Sequence, residues 1–362
     1  MSVTVKPLSF GRAAGHSARE MPASSSPSPQ PRALARWLLI VAAIVFVMVV
    51  VGGITRLTES GLSIVRWQPV SGVVPPLNDQ QWAAEFRAYQ ATPEYQKINR
   101  GMSIEGFKHI FFWEYLHRMI GRLIGLAMIL PLAWFAWKRA IPPGYGSRLA
   151  ALAALVVLQG AIGWWMVASG LIDRPDVSHI RLAIHLLTAL LFFSGLIWTA
   201  LDLRGHARNP EMAPARLDTA GAAAIGVLAI QIMLGAFTAG LDAGFAFASW
   251  PLMGDRLFPE GGWNLHLDAI GNLRDNPVVV QFEHRWWAWV AAAAAVALSI
   301  RARRRWPAAP FIIPLLVIVQ ISLGISVLLT GVALPLAATH QAVAVLLLAA
   351  LVVAAHKIGE RA

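Results

Sequence analysis

FKHIFFWEYLHRMIGRLIG, Phe107 to Gly125, decides how the rest of the chain is read. It sets a carboxylate, an imidazole and a guanidinium inside a run otherwise apolar enough to enter a bilayer. Ionisable groups in such a segment are costly and are usually kept for function. Glu114 and His117 stand three residues apart, so on a helix they share one face. Gly121 and Gly125 continue that face at four-residue steps. They leave a groove in which a flat macrocycle ligated by His117 would lie.

The composition around this stretch fits that reading. Of 362 residues, 57% are hydrophobic and 14% charged, too apolar for a soluble globule. An all-α polytopic membrane protein is predicted. There is no cysteine, which excludes disulfides, thiolate metal sites and c-type haem attachment. The net charge of +11 points to nucleic acid only if taken alone. It is better explained by where Lys and Arg fall relative to the apolar spans.

Residues 1–31 are rich in Ser, Pro, Ala and Arg, with Glu20 as their one acid. They read as a disordered cytoplasmic tail, although a transit peptide has a similar composition. Eight spans follow: Leu34–Val51, Phe107–Trp137, Leu149–Ala168, Ile180–Leu201, Thr219–Gly240, Val278–Ile300, Pro310–Gly331 and Leu334–His356. Each is near the roughly 20 residues a bilayer requires. Between the first two spans, Trp82, Phe86 and Tyr89 repeat at i, i+4 and i+7, with Asn78 as N-cap. An amphipathic helix lying on the membrane surface is expected there. Thr92-Pro93 marks the start of another helix. Arg and Lys gather at one set of ends, with Arg204, Arg208 and Arg216 in one loop and Arg301, Arg303, Arg304 and Arg305 in another. The positive-inside rule therefore places both termini in the cytoplasm.

The chain repeats itself. Thr55, Glu59, Gly61 and Trp67 match Thr238, Asp242, Gly244 and Trp250 at one ungapped offset of 183. EYLHR at Glu114–Arg118 matches QFEHR at Gln281–Arg285, and VVLQGAIG at Val156–Gly163 resembles VIVQISLG at Val317–Gly324. A duplicated four-helix unit follows, giving two tandem pseudo-symmetric bundles in parallel orientation. The expected units are 32–203 and 218–362, joined by a cytoplasmic linker at 204–217.

Each unit has one histidine in its second helix and one in its fourth: His117 and His185, then His284 and His340. One pair per bundle suits haem iron, because facing bundle helices hold such cofactors and neutral imidazole ligates iron. Gly121, Ala189, Ala288 and Ala344 each follow a histidine by four residues and allow close approach. Arg118 and Arg285 directly follow a histidine and stand within reach of haem propionates. A single intramembrane histidine is often only a hydrogen-bonded core residue. Four at repeat-equivalent positions favour ligation. His16, His206, His266 and His356 are assigned to tails, loops or a membrane edge, and His109 and His179 to interfacial helix ends. Most tryptophans are read as an interfacial belt.

These residues resemble the haem A synthase family. The resemblance is carried by GGITRLTESGLS (Gly52–Ser63), FKHIFFWEYLHRMIGR (Phe107–Arg122), LQGAIGWWMVASGL (Leu158–Leu171) and IRLAIH (Ile180–His185). FASWPLMG (Phe247–Gly254), VQFEHRWWAW (Val280–Trp289) and THQ (Thr339–Gln341) extend it through the eighth span. It implies oxidation of a methyl group of haem O to a formyl group, giving haem A for cytochrome c oxidase. It implies a catalytic site in the first unit around Glu114, His117 and His185, and a resident haem b in the second between His284 and His340. It also implies haem O synthase and oxidase assembly factors as partners, and a homo-oligomer is compatible with it. The absence of cysteine resembles the proteobacterial and mitochondrial branch, and a bacterial inner membrane is expected. Two other classes compete: a di-haem b electron carrier linked to quinol, and a transporter built from parallel repeats. The first needs no carboxylate beside its histidines. The second tends to place its polar residues at the midplane.

Overall fold

A computed structural model describes residues 1–5, 28–66, 71–172 and 175–360 of the protein. Most of the expected tail, and Trp67 of the repeat, lie outside the described residues. The fold is all-helical, with no β-strand among the described residues. In order the helices are α1 (Pro31–Leu57), α2 (Asp79–Gln90), α3 (Pro93–Lys97), α4 (Ile104–Trp137), α5 (Gly146–Ile172) and α6 (His179–His206). After them come α7 (Thr219–Gly240), α8 (Ala269–Asp275), α9 (Pro277–Ala302), α10 (Ala309–Leu329) and α11 (Leu334–Gly359).

The eight long helices correspond to the eight predicted spans. In hydrocarbon no water satisfies backbone polar groups, so apolar runs of this length must close their hydrogen bonds internally. Seven of the eight are long and apolar enough to cross a membrane. The exception is α9, whose apolar run is cut short by Glu283, His284 and Arg285 near one end and Arg301 near the other. Side chains define several starts. Ser103 accepts from Gly106 N at 3.1 Å to begin α4, Asp218 from Gly221 N at 2.8 Å to begin α7, and Asn276 from Val278 N at 3.0 Å to begin α9.

Helix α1 packs on α4 and α6, and α5 bridges α4 and α6. Helix α7 packs on α9 and α11, and α10 bridges α9 and α11. The two rings meet along α1, α6, α7 and α11. The core therefore runs down the middle of the molecule, where Leu34, Leu38, Leu196, Leu203 and Leu351 are all fully enclosed. Helices α4, α5 and α10 form the outside and turn apolar side chains such as Leu130, Val157 and Phe311 outward. Packing between α4 and α5 is looser than between the equivalent α9 and α10.

One end of the molecule carries α2, α3, α8 and the long loops; the other carries the arginine-rich connections. Two positions on the loop end display the duplication in the backbone itself. Glu59 and Asp242, 183 residues apart, both adopt left-handed conformations at φ 50° and φ 51° as the chain leaves α1 and α7. The prediction for α2 needs one correction. Its aromatic stripe is covered by protein: Tyr89 is fully enclosed, and the rings of Trp82, Phe86 and Tyr89 pack on Phe107 and Phe111 of α4. Phe107 and Phe111, in the first turns of α4, supply the aromatic partners that cover the stripe.

Candidate functional site

The loops leaving α1 and α7 are held in place by the histidine motifs of α4 and α9. Glu114 is only 3% exposed. Its Oε2 accepts from Ser63 Oγ and Ile64 N, both at 2.7 Å. Its Oε1 accepts from Arg118 Nε at 3.0 Å and Arg118 Nη2 at 2.6 Å. Both carboxylate oxygens are thus engaged, by charge-assisted bonds on one side. Arg118 also donates to the main-chain oxygens of Ile64 at 2.8 Å and Arg66 at 3.3 Å.

The second half repeats this arrangement, with the loop residues 183 positions on and the histidine motif 167 positions on. Arg285 donates to the main-chain oxygens of Phe247 and Ser249, both at 2.9 Å. These are the counterparts of Ile64 and Arg66. Gln281, in the place of Glu114, donates instead of accepting, to Gly244 O at 3.3 Å and Phe247 O at 3.1 Å. Each arginine is therefore a clamp on loop carbonyls. On the histidine's own helix face, three residues before it, the first half offers a carboxylate and the second an amide; directly before it the first has Leu116 and the second Glu283.

The four histidines occupy matching seats. A methyl group added at Gly52, Gly163, Gly235 or Gly324 would lie 2.9–3.0 Å from Cε1 of His117, His185, His284 or His340 respectively. Only glycine lets the imidazole approach the facing backbone so closely. Glutamines complete three of the seats. Gln159 Nε2 lies 3.1 Å from His185 Nδ1, Gln231 Nε2 lies 3.2 Å from His284 Nδ1, and Gln320 Nε2 lies 3.3 Å from His340 Nε2. All four histidines are part-buried, unlike the enclosed His179 and His356 described below.

The His284 and His340 rings face each other with centroids 6.5 Å apart and planes at 81°. Two imidazoles sharing one metal need metal–nitrogen bonds of about 2 Å each plus about 1 Å of ring on either side. The observed separation meets that requirement. Among the described residues no group of three or more His, Asp or Glu forms a metal cage. A pair of imidazoles serves a metal that brings its other donors with it, as a porphyrin does. The residues present fit a haem.

Several polar residues have roles that spacing did not reveal. His356, read as a membrane-edge residue, is 1% exposed and its Nε2 lies 2.9 Å from Asp202 Oδ1. Asp202 also pairs with Arg148 and accepts from Ala215 N at 2.9 Å. The cluster joins α5, α6, the connection to α7, and α11. His179, read as interfacial, is enclosed, with Nε2 3.2 Å from Asp275 and its ring against Phe237. Among the tryptophans, Trp37 and Trp287 donate to Ala127 O at 2.7 Å and Val227 O at 3.0 Å, so they tie helices together. The THQ motif finds its use in Gln341, which donates to Val49 O at 3.0 Å and ties α11 to α1. Glu94 on α3 is 3% exposed, with Oε2 lacking a partner. Burial, and then the charge of Glu114, push its carboxyl up to about 8, partly offset by a hydrogen bond from Tyr89.

Residues 35–352 match the COX15-CtaA family, described as "Cytochrome oxidase assembly protein". The chain is similar to the Heme A synthase of Rhizorhabdus wittichii, 59% identical over 335 residues, covering 92% of this chain and 96% of that protein. It is 52% identical over 345 residues to the Heme A synthase of Sphingopyxis alaskensis, covering 94% and 96%. With the Heme A synthase of Novosphingobium aromaticivorans it shares 47% over 356 residues, covering 93% and 99%.

Proposed function

The chain belongs to the COX15-CtaA family of cytochrome oxidase assembly proteins, and on that premise we propose how its two halves divide the work. The protein is a haem A synthase, an oxidoreductase that converts the methyl group of haem O to the formyl group of haem A. It is a multi-pass membrane protein. The di-haem electron-carrier alternative loses its support, because the similar proteins carry the synthase name over nearly their whole length.

We infer that the first half, residues 32–203, takes the substrate haem O and the second, residues 218–362, keeps a haem b, with 204–217 as the linker. One observation carries this division. Both halves seat a histidine pair, while only the first sets a carboxylate on the ligand's own helix face; at that place the second has Gln281. His117 and His185 would hold the substrate, and His284 and His340 the haem b, whose iron supplies reversible one-electron chemistry when bound. Oxidising a methyl carbon removes protons and electrons, and positive charge developing there is stabilised by a fixed anion nearby. Glu114 is that anion, held by Ser63, Ile64 and Arg118 so that it does not swing away. Arg118 and Arg285 fix the loops over the two sites, where remaining guanidinium surface can meet propionates. Helices α2 and α3 sit above the first site and limit water there.

The arginine-rich end faces the cytoplasm with both termini, in a bacterial inner membrane. Haem O synthase, oxidase assembly factors and further copies of this chain are the partners proposed.

The test is expression in a host lacking its own synthase, followed by haem extraction. Wild type should yield a formyl-bearing haem. Glu114→Gln should still retain haem but lose most haem A, at least tenfold. Its amide cannot accept from both loop donors and Arg118 at once, so a local cost of about 1–3 kcal/mol is also expected. Near-normal haem A from that variant would return Glu114 to a purely structural role.

A further inference from the structure

The seats of the four histidines share a grammar that one of them breaks. On α5, α7 and α10 the glycine facing the ring is preceded, one helical turn earlier, by a glutamine: Gln159 and Gly163, Gln231 and Gly235, Gln320 and Gly324. On α1 the same register holds Met48 and Gly52. The glutamines contact an imidazole nitrogen in each of the three seats, at 3.1–3.3 Å. Gln159 and Gln231 also donate to the main-chain oxygen of the same histidine, at 2.8 Å and 3.0 Å. In each seat it is the amide nitrogen that meets the ring, so the amide donates and the imidazole nitrogen accepts. Nδ1 of His117 is buried with no partner; so is Nδ1 of His340, which Gln320 meets at Nε2, so among the described residues the His117 ring alone of the four has no amide at either nitrogen. The Met48 methyl instead lies toward Gly121, where an added Cβ would be 3.4 Å from it.

An amide fixes the rotation and the tautomer of an imidazole by hydrogen bonding to it, and so sets which nitrogen is presented to a ligand. A thioether is a weak acceptor and no donor, and leaves the ring to turn. We propose that Gln159, Gln231 and Gln320 are positioning residues for three of the haem-ligating histidines, and that Met48 leaves His117 as the exchangeable ligand of the substrate half. This rests on the assignment of substrate to the first half and haem b to the second. It gives that assignment a physical cause. The second half holds both rings and retains its haem, whereas the first holds one ring and lets a substrate come and go.

The experiment uses the full-length protein in lipid nanodiscs, loaded with ferric protohaem, and follows haem transfer to an excess of apomyoglobin. Wild type should release haem in a fast and a slow phase. His117→Ala should remove the fast phase and His284→Ala the slow one; if neither does, the haem assignment itself fails. With those controls in place, Met48→Gln should slow the fast phase by about 10–100-fold, the usual weight of a partner to a metal-ligating histidine. Met48→Leu should leave it unchanged. Gln231→Leu should speed the slow phase and shift the low-spin electron paramagnetic resonance signature of the bound haem. If Met48→Gln does not insert, Gln159→Met serves instead and should speed the fast phase. An unaltered fast phase in Met48→Gln (or in Gln159→Met), or an unaltered slow phase and spectrum in Gln231→Leu, overturns the proposal while leaving the haem assignment standing.

Discussion

At the scale of single residues, the histidine pair of the second half makes the plainest demand. The His284 and His340 rings stand 6.5 Å apart across a shared space, and a haem held between them depends on both. His284→Ala should lose haem b while the protein still inserts, because insertion follows hydrophobicity and not ligation. Haem per polypeptide by the pyridine haemochrome method measures this, and a full complement in the variant would refute it. The four histidines were legible in the sequence because apolar neighbours make a polar side chain conspicuous. Their partners were not. Arg118 and Arg285 spend their donors on carbonyls of the main chain, which every residue possesses and no sequence distinguishes. The glutamines stood in the repeat motif Val156–Gly163 and its counterpart, but nothing in one sequence says that an amide faces a ring on the next helix.

At the scale of elements, α3 offers a pH dependence. Glu94 is enclosed on α3, which packs on α2 and α5, near Glu114, Glu59 and Asp176, and its carboxyl is raised to about 8. Between its ordinary value and about 8 the folded form holds a proton that the unfolded form has released. Stability therefore falls as pH rises through that window, by up to about 1.4 kcal/mol per unit for the elements that bury it, and is flat above it. Amide hydrogen exchange of residues 89–99 should quicken from pH 6 to pH 8 beyond the intrinsic rate change. Glu94→Gln should remove the excess, and the same excess in that variant would show another group to be responsible. The existence of α2 and α3 was legible from Asn78, Thr92 and Pro93, which cap and start them as expected. Where α2 packs was not legible. An aromatic stripe states only that something must cover it, and here the aromatic residues that open α4 do so.

At the scale of the whole molecule, the two rings are joined by a buried polar cluster at the arginine-rich end. Asp202 of α6 meets His356 of α11, 154 residues away, and Arg148 of α5. Removing one partner strands the others in an enclosed site, which typically costs about 3–5 kcal/mol. His356→Ala should lower the thermal stability of the whole protein in detergent while the surviving fold keeps its haem spectrum. A lost spectrum with unchanged stability would contradict the structural role. The eight-helix plan and its duplication were readable from hydropathy and the 183-residue offset, whereas this cross-ring tie was not, because it joins single residues with no spacing rule between them. The loop clamps carry a different kind of consequence. Arg118 and Arg285 grip peptide oxygens and are indifferent to the side chains those peptides bear. Both loops thus keep their shape under mutation, and sequence drift at Ile64, Arg66 or Phe247 is free to change the surface they present without unfastening them.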